Sequence, residues 1–142
     1  MKRILFGILM LVSFYSNAQC NLGFNDLVNA LRSNETNLKY QLSNKGYVYN
    51  DRESKYYCSN EKYELIKSDQ GGVLDIKYMM PYSSYEIQKI INDAKNHGME
   101  FPLITTNPNT ELPKNIYGVG IGNLIMKIES DEKYSYIVII GK

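Results

Sequence analysis

Hydrophobic positions first repeat with helical spacing. Between residues 25 and 44, Leu27, Val28 and Leu31 share one helix face, and Leu38 and Leu42 repeat at i, i+4 in a second run. Asn25 stands at the N-cap position of the first run, and Gly46 stands where a C-terminal cap of the second run belongs. Because the spacing breaks near residue 33, we predict two short helices rather than one long helix.

A period of two then replaces the helical spacing. In residues 73–80 the apolar side is formed by Leu74, Ile76, Tyr78 and Met80, and the polar side by Asp75 and Lys77. Further strand candidates are residues 47–49, 55–59, 62–67, 99–104, 123–130 and 133–141. Short links at 68–72 and 130–132 predict two antiparallel hairpins with one solvent face, and residues 105–115 read as a loop.

The clearest helix pattern lies between these two hairpins. Ser83 and Glu86 have the spacing of a capping box, and Gly98 stands at the end. An apolar stripe at i, i+3, i+4 and i+7 consists of Ile87, Ile90, Ile91 and Ala94. A stripe of this kind has to pack on another element.

Together these segments predict an α+β fold. We expect an antiparallel sheet of about five to six strands with helices packed on one face. The stretches 43–49 (SNKGYVY) and 95–101 (KNHGMEF) also match in pattern. This match suggests two α-β-hairpin structural repeats, at 22–80 and 81–142, although chains of this class produce similar order by chance.

The first residues have the pattern of an export signal. Lys2 and Arg3 precede an apolar run at 4–12, and Ser16 and Ala18 are small residues at the positions before a cleavage site. We predict a signal peptide at 1–18 and a single domain at 19–142, with no stable membrane insertion after cleavage, because the run is shorter than a spanning helix. The alternative is a lipoprotein that is acylated at Cys20. The residues immediately before Cys20 match the pattern of a lipoprotein signal poorly.

Charge and composition narrow the expected location and partners. The 142 residues contain 16 Lys and Arg and 15 Asp and Glu, and cleavage would remove two of the basic residues, for a formal charge of −1. No basic stripe remains, so we expect no nucleic-acid partner. The leader and the Asn-, Lys-, Ile- and Tyr-rich composition resemble exported proteins of AT-rich bacterial genomes, which implies the periplasm or the exterior.

Two cysteines, Cys20 and Cys58, remain after the predicted cleavage. An even count in a small exported domain predicts one disulfide. Two free thiols are the alternative. A catalytic thiol is disfavoured, because the chain has no CxxC motif and no obvious base near Cys58.

Candidate chemistry is sparse. His97 is the one histidine and follows Asp93 by four residues, so the pair could act as an oriented base or could only stabilise a helix end. We expect no metal site, since zinc sites need three or four ligands. We also expect no cofactor, and the sequence indicates no catalytic residue. The GxGxG stretch at 118–122 precedes a strand pattern rather than a helix, which argues against nucleotide binding.

Tyrosine is the most frequent aromatic residue, with 13 copies and no tryptophan. Candidate interaction residues are Tyr78, Tyr82, Tyr85, Tyr134 and Tyr136, although base composition alone could produce such enrichment. We expect a protein-binding or inhibitory module whose partner is another protein. The alternatives are a small envelope enzyme that uses Asp93 and His97, or an accessory component of a cell-envelope assembly.

Overall fold

A computed structural model describes residues 20–59, 61–106, 113–120 and 122–141, which form an α+β fold. The helices are α1 (Phe24–Arg32), α2 (Glu35–Ser43) and α3 (Ser84–Asn96). The strands are β1 (Val48–Asn50), β2 (Lys55–Cys58), β3 (Tyr63–Gln70), β4 (Val73–Pro81), β5 (Glu100–Thr106), β6 (Pro113–Val119), β7 (Ile125–Ser130) and β8 (Tyr134–Gly141). The predicted leader lies outside the described residues. No described helix is long and apolar enough to cross a bilayer.

The strands form one sheet in the order β1-β2-β3-β4-β8-β7-β6-β5. Every pairing between neighbours is antiparallel, as predicted. Each half of the chain contributes a four-stranded meander, and the two meanders meet where β4 pairs with β8. The order is therefore symmetric about the centre of the sheet, while a duplication of 22–80 and 81–142 stays a prediction.

The predicted number of strands, five to six, is wrong, because the sheet has eight. Strand β6 replaces part of the predicted loop at 105–115. Its sequence, PKNIYGV, contains proline, asparagine and glycine, which are depleted in strands. The ring of Phe101 compensates, since it occupies the space beside Gly118, where a Cβ would lie 2.5 Å from the Cε1 atom.

The helix boundaries follow local capping. Ser83 caps α3 and its hydroxyl accepts a hydrogen bond from the backbone N–H of Glu86, as predicted. Asn25 is not the N-cap of α1, which begins after Gly23, and the Gly23 N–H donates to the carboxylate of Asp26. Beyond the C-terminal end of α2, Gly46 has a positive φ of 84°, as expected of a glycine that ends a helix.

The three described helices lie on one face of the sheet, which we call the covered face. Helix α1 contacts the central strands β4 and β8, α3 packs against α1, and α2 contacts β1. The buried sheet residues of this face include Leu65, Ile76, Tyr78, Met126, Ile128, Ile137 and Ile139. The predicted alternation of β4 is confirmed, because Ile76, Tyr78 and Met80 are all buried on this face.

Candidate functional site: the open face of the sheet

The opposite side of the sheet, which we call the open face, carries none of the described helices. Its side chains come from the alternate residues of each strand, as the registers require. Four large hydrophobic side chains on it remain exposed: Val48, Tyr117, Val119 and Tyr136. The described part of the chain thus forms two layers, with helices over one face and solvent against the other.

Strand β8 shows why this face is unusual. Ile137 and Ile139 point to the covered face, and Tyr136, Val138 and Ile140 point to the open face. Strands that are apolar on both sides are typical of sheets covered on both faces, whereas one-sided sheets alternate between apolar and polar residues. The centre of the open face therefore has the residue composition of a sheet face that is covered.

Two adjacent rows of side chains cross the centre of the open face. The register aligns Glu64, Met79, Tyr136 and Glu129 on β3, β4, β8 and β7, which we call the acidic row. The next row consists of Ile66, Lys77, Val138 and Lys127 on the same strands, which we call the basic row. In the acidic row the two glutamates flank Met79 and Tyr136. In the basic row the two lysines alternate with Ile66 and Val138.

Most charges of these rows are paired within the chain. Lys127 pairs with Glu129 on the same strand, and Lys77 lies 4.0 Å from Asp75. The amine of Lys55 lies 3.6 Å from the carboxylate of Glu64. The face as a whole therefore offers no strong field of one sign, although the two rows differ in sign at short range.

The structure separates the five predicted interaction tyrosines. Tyr134 and Tyr136 both lie on the open face, and Tyr136 is 41% exposed. Tyr85 is exposed on α3, on the helix side, and Tyr82 packs partly against the core. Tyr78 is only 1% exposed. It cannot be an interaction residue as predicted, because a side chain buried under the helices cannot contact a partner.

The tip of the β7–β8 hairpin holds Tyr134 in place. The carboxylate of Asp131 accepts hydrogen bonds from the backbone N–H groups of Tyr134 at 2.6 Å and of Lys133 at 2.7 Å. These bonds lower the pKa of Asp131, because they stabilise its charged form. The amine of Lys133 lies 5.2 Å from the Tyr134 ring, within the range of a cation–π contact.

The predicted disulfide between Cys20 and Cys58 is confirmed. It fixes the segment before α1 against β2, and two tyrosine hydroxyls hold the same segment from the covered face. Tyr47 donates to the carbonyl of Cys20 at 2.6 Å, and Tyr78 accepts from the N–H of Leu22 at 3.2 Å. Burial raises the pKa of both tyrosines above the ordinary value.

The His97 ring contacts the main chain of Asp93 and not its carboxylate. The Nδ1 atom of His97 lies 2.7 Å from the main-chain carbonyl oxygen of Asp93 rather than from its carboxylate. His97 is the C-cap residue of α3, and its ring lies 5.5 Å from that of Phe24. These contacts are consistent with the predicted role of His97 at the end of the helix.

A cleft on the covered side is the other candidate site. It has a volume of about 310 Å³ and is lined in part by Tyr49, Tyr56, Glu35 and Lys67. The amine of Lys67 donates to the last carbonyls of α1, at 3.1 Å for Ala30 and also to Ser33, and burial lowers its pKa. The amine therefore caps a helix and is occupied within the chain.

No metal centre or nucleotide site emerges from the described ranges. Within them, no group of three His, Cys, Asp or Glu side chains could hold a metal ion. The GxGxG stretch lies at the end of β6, and strand β7 rather than a helix follows it. Gly120 packs close to Met99, and Gly122 adopts a positive φ of 75° in the turn.

The sequence prediction missed most of the open face. The enrichment in tyrosine does not indicate its other apolar members, which are Ile66, Met79, Val138 and Ile140. A usable signal was present in KYSYIVIIG, because six of the seven residues of β8 that precede its glycine, all but Ser135, are apolar or aromatic. The same alternation that placed Leu74 and Ile76 on one side also placed Tyr78 with the core.

No protein-family model, curated protein or solved structure matches this chain.

Proposed function

We propose that the chain is an exported protein-binding or inhibitory module that holds another folded protein against the open face of its sheet. The observation that carries this proposal is the double-sided apolar character of β8. Tyr136, Val138 and Ile140 lie at the centre of a face that no described helix covers. Covering these side chains with a partner removes apolar area from water, which is the main favourable term in association.

The chemistry of the face favours a protein partner. Aromatic and methionine side chains are enriched in protein interfaces, and this face presents Tyr117, Tyr134, Tyr136 and Met79. Its lysines are paired with carboxylates, so a polyanion such as nucleic acid would find no continuous cationic path. The expected partner surface is apolar at its centre and carries mixed charges at its rim.

The disulfide supports an exported location. Disulfides persist in the periplasm and outside the cell and are rare in a reducing cytosol. Because the thiol of Cys20 is bonded to Cys58, it is not available for a thioether-linked lipid. We therefore propose a protein of the periplasm or the exterior without a lipid anchor at Cys20.

A site-specific photo-crosslinker tests the proposal. The crosslinking residue replaces Tyr136 on the open face or, as a matched control, Tyr85, which is 73% exposed on α3. Both variants are expressed in the native host from the full sequence, and adducts are identified by mass spectrometry. We expect position 136 to yield a defined adduct with a second protein, and position 85 to yield none.

A second variant separates contact from function. Tyr136→Arg places a charge at the centre of the interface, so it should abolish retention of the protein identified by crosslinking. Tyr85→Arg should retain it fully. If position 136 yields no adduct other than the chain with itself, the proposed binding of another protein is wrong.

A further inference from the structure

The two charged rows of the open face make this face complementary to itself. We propose that, before a partner binds, two copies of the chain pair face to face through these rows and hide the apolar centre. This inference rests on the proposed function, since it concerns the regulation of the same surface. A pair of this kind keeps the interface out of water until a partner displaces the second copy.

The complementarity follows from the order of the rows. Consider a two-fold axis that lies between the sheets and crosses the strands midway between the acidic row and the basic row. Rotation about it sets the acidic row of each copy against the basic row of the other. The second copy then presents Lys127 to Glu129, and the same contact recurs with the roles exchanged, as an isologous interface requires.

The apolar centre fits the same arrangement. Tyr136 in the acidic row comes to face Val138 in the basic row of the second copy. Met79 comes to face the aliphatic stem of Lys77, whose charged end can reach Glu64 of the second copy one strand away. Two twisted sheets packed in this way cross at about −30° and lie about 10 Å apart, a distance that such side chains fill.

The available area is sufficient for a dimer. Eight strands spaced at about 4.8 Å, each contributing about six residues of 3.4 Å rise, give a face of roughly 700 Å² per copy. Stable interfaces bury about 800 Å² per partner. The dimer is therefore at the lower end of stable association, as a state that yields to a partner requires.

Sedimentation equilibrium of the protein expressed from its full sequence tests the inference. Between about 1 and 300 µM, we expect the mass to rise from that of one chain to that of two. Lys127→Glu and Glu129→Lys should each weaken the dimer at least tenfold, because each places like charges opposite one another across the axis. Both side chains are about half exposed, at 53% and 51%, so the fold should tolerate the substitutions.

Mixing the two variants provides the decisive control. One variant then carries two glutamates at positions 127 and 129, and the other carries two lysines. An equimolar mixture should form a heterodimer at wild-type concentrations, and the double variant K127E/E129K should form a homodimer. Recovery in both cases also shows that each variant is folded.

Three outcomes would overturn the inference. The first is a monomer at every concentration, the second is dimerisation unaffected by either single substitution, and the third is a mixture that stays monomeric. None of these outcomes contradicts the proposed function, which depends on an adduct between position 136 and a different protein. Conversely, a dimer accompanied only by self-adducts would support the inference and contradict the proposed function.

Discussion

The two faces of strand β8 carry similar side chains in different surroundings. Ile137 and Ile139 on the covered face are fully buried, whereas Tyr136 on the open face is 41% exposed and Val138 is intermediate. The same strand thus supplies both the core and the candidate interface. The comparison shows that the helices, and not the residue types, decide which side stabilises the fold.

A substitution should therefore be costly on the covered face and mild on the open face, whereas binding should show the reverse order.

Releasing the segment before α1 should weaken the covered face most. The double variant C20S/C58S removes the disulfide, whose sequence separation is 38 residues, and should lose about 3 to 4 kcal/mol of unfolding free energy in the chain-entropy model. Urea unfolding at neutral pH measures this loss. Reducing the native protein should lower its stability equally, and the double variant should not respond to the reductant. A loss below about 1 kcal/mol would show that packing alone holds this segment.

Adjacent residues on β8 provide a matched pair. Ile137→Ala should cost about 3 kcal/mol, because it leaves a cavity in the packed core, and Val138→Ala should cost about 1 kcal/mol or less. Both values come from urea unfolding in the monomeric concentration range. Equal losses at the two positions would contradict the division of the sheet into a covered and an open face.

Alkaline pH should act through the covered face. Tyr47 and Tyr78 stay neutral in the folded protein because burial raises the pKa of each, while the unfolded chain ionises near pH 10. Their stabilising contribution is therefore complete below pH 10 and falls above it. The loss should be about 1.4 kcal/mol per pH unit for each tyrosine.

Urea unfolding at pH 9, 10, 10.5 and 11 measures this slope. Tyr47→Phe should reduce the loss of unfolding free energy per pH unit by the contribution of one tyrosine, about 1.4 kcal/mol. This reduction does not depend on the effect of the substitution on stability at neutral pH. Tyr40→Phe, at a side chain 69% exposed, is the control for the substitution itself. An unchanged slope in Tyr47→Phe would mean that this hydroxyl ionises in the folded state.

A smaller effect is expected where Phe101 meets β6. Gly118→Ala would place a Cβ 2.5 Å from the ring and should cost about 1 to 3 kcal/mol by overpacking. Phe101→Leu in the same chain should recover part of this loss, because a smaller side chain leaves room. The unfolding free energies of both single variants and of the double variant give the interaction energy between positions 101 and 118. Additive losses would show that Phe101 does not fill the space beside Gly118.

The sequence predicted the elements whose signals are local. Ser83 and Gly98 mark the ends of α3, and the alternation in β4 assigns each side chain to a face. Each of these features depends on residues within a few positions along the chain. Local capping and periodicity are sufficient for such elements.

The missed features depend on distant contacts. Strand β6 has a weak strand composition and forms because β5 and β7 pair with it while Phe101 covers Gly118. The open face was missed for a related reason, since its rows join residues from β3, β4, β8 and β7 that are up to 72 positions apart, from Glu64 to Tyr136. Cross-strand neighbours of this kind are fixed by register, which hydrophobic periodicity alone does not specify.

The disulfide also determines how the protein would respond to a mechanical load. A pull on the N-terminus reaches Cys20 and passes through the bond to Cys58 on β2, so α1, α2 and β1 lie inside a covalently closed loop. This loop cannot lengthen under tension while the bond is intact, and the force enters the sheet at β2 instead. From Cys20 onward, stretching should therefore extend only the residues after Cys58, and adding a reductant should release the length of the closed loop as one additional step.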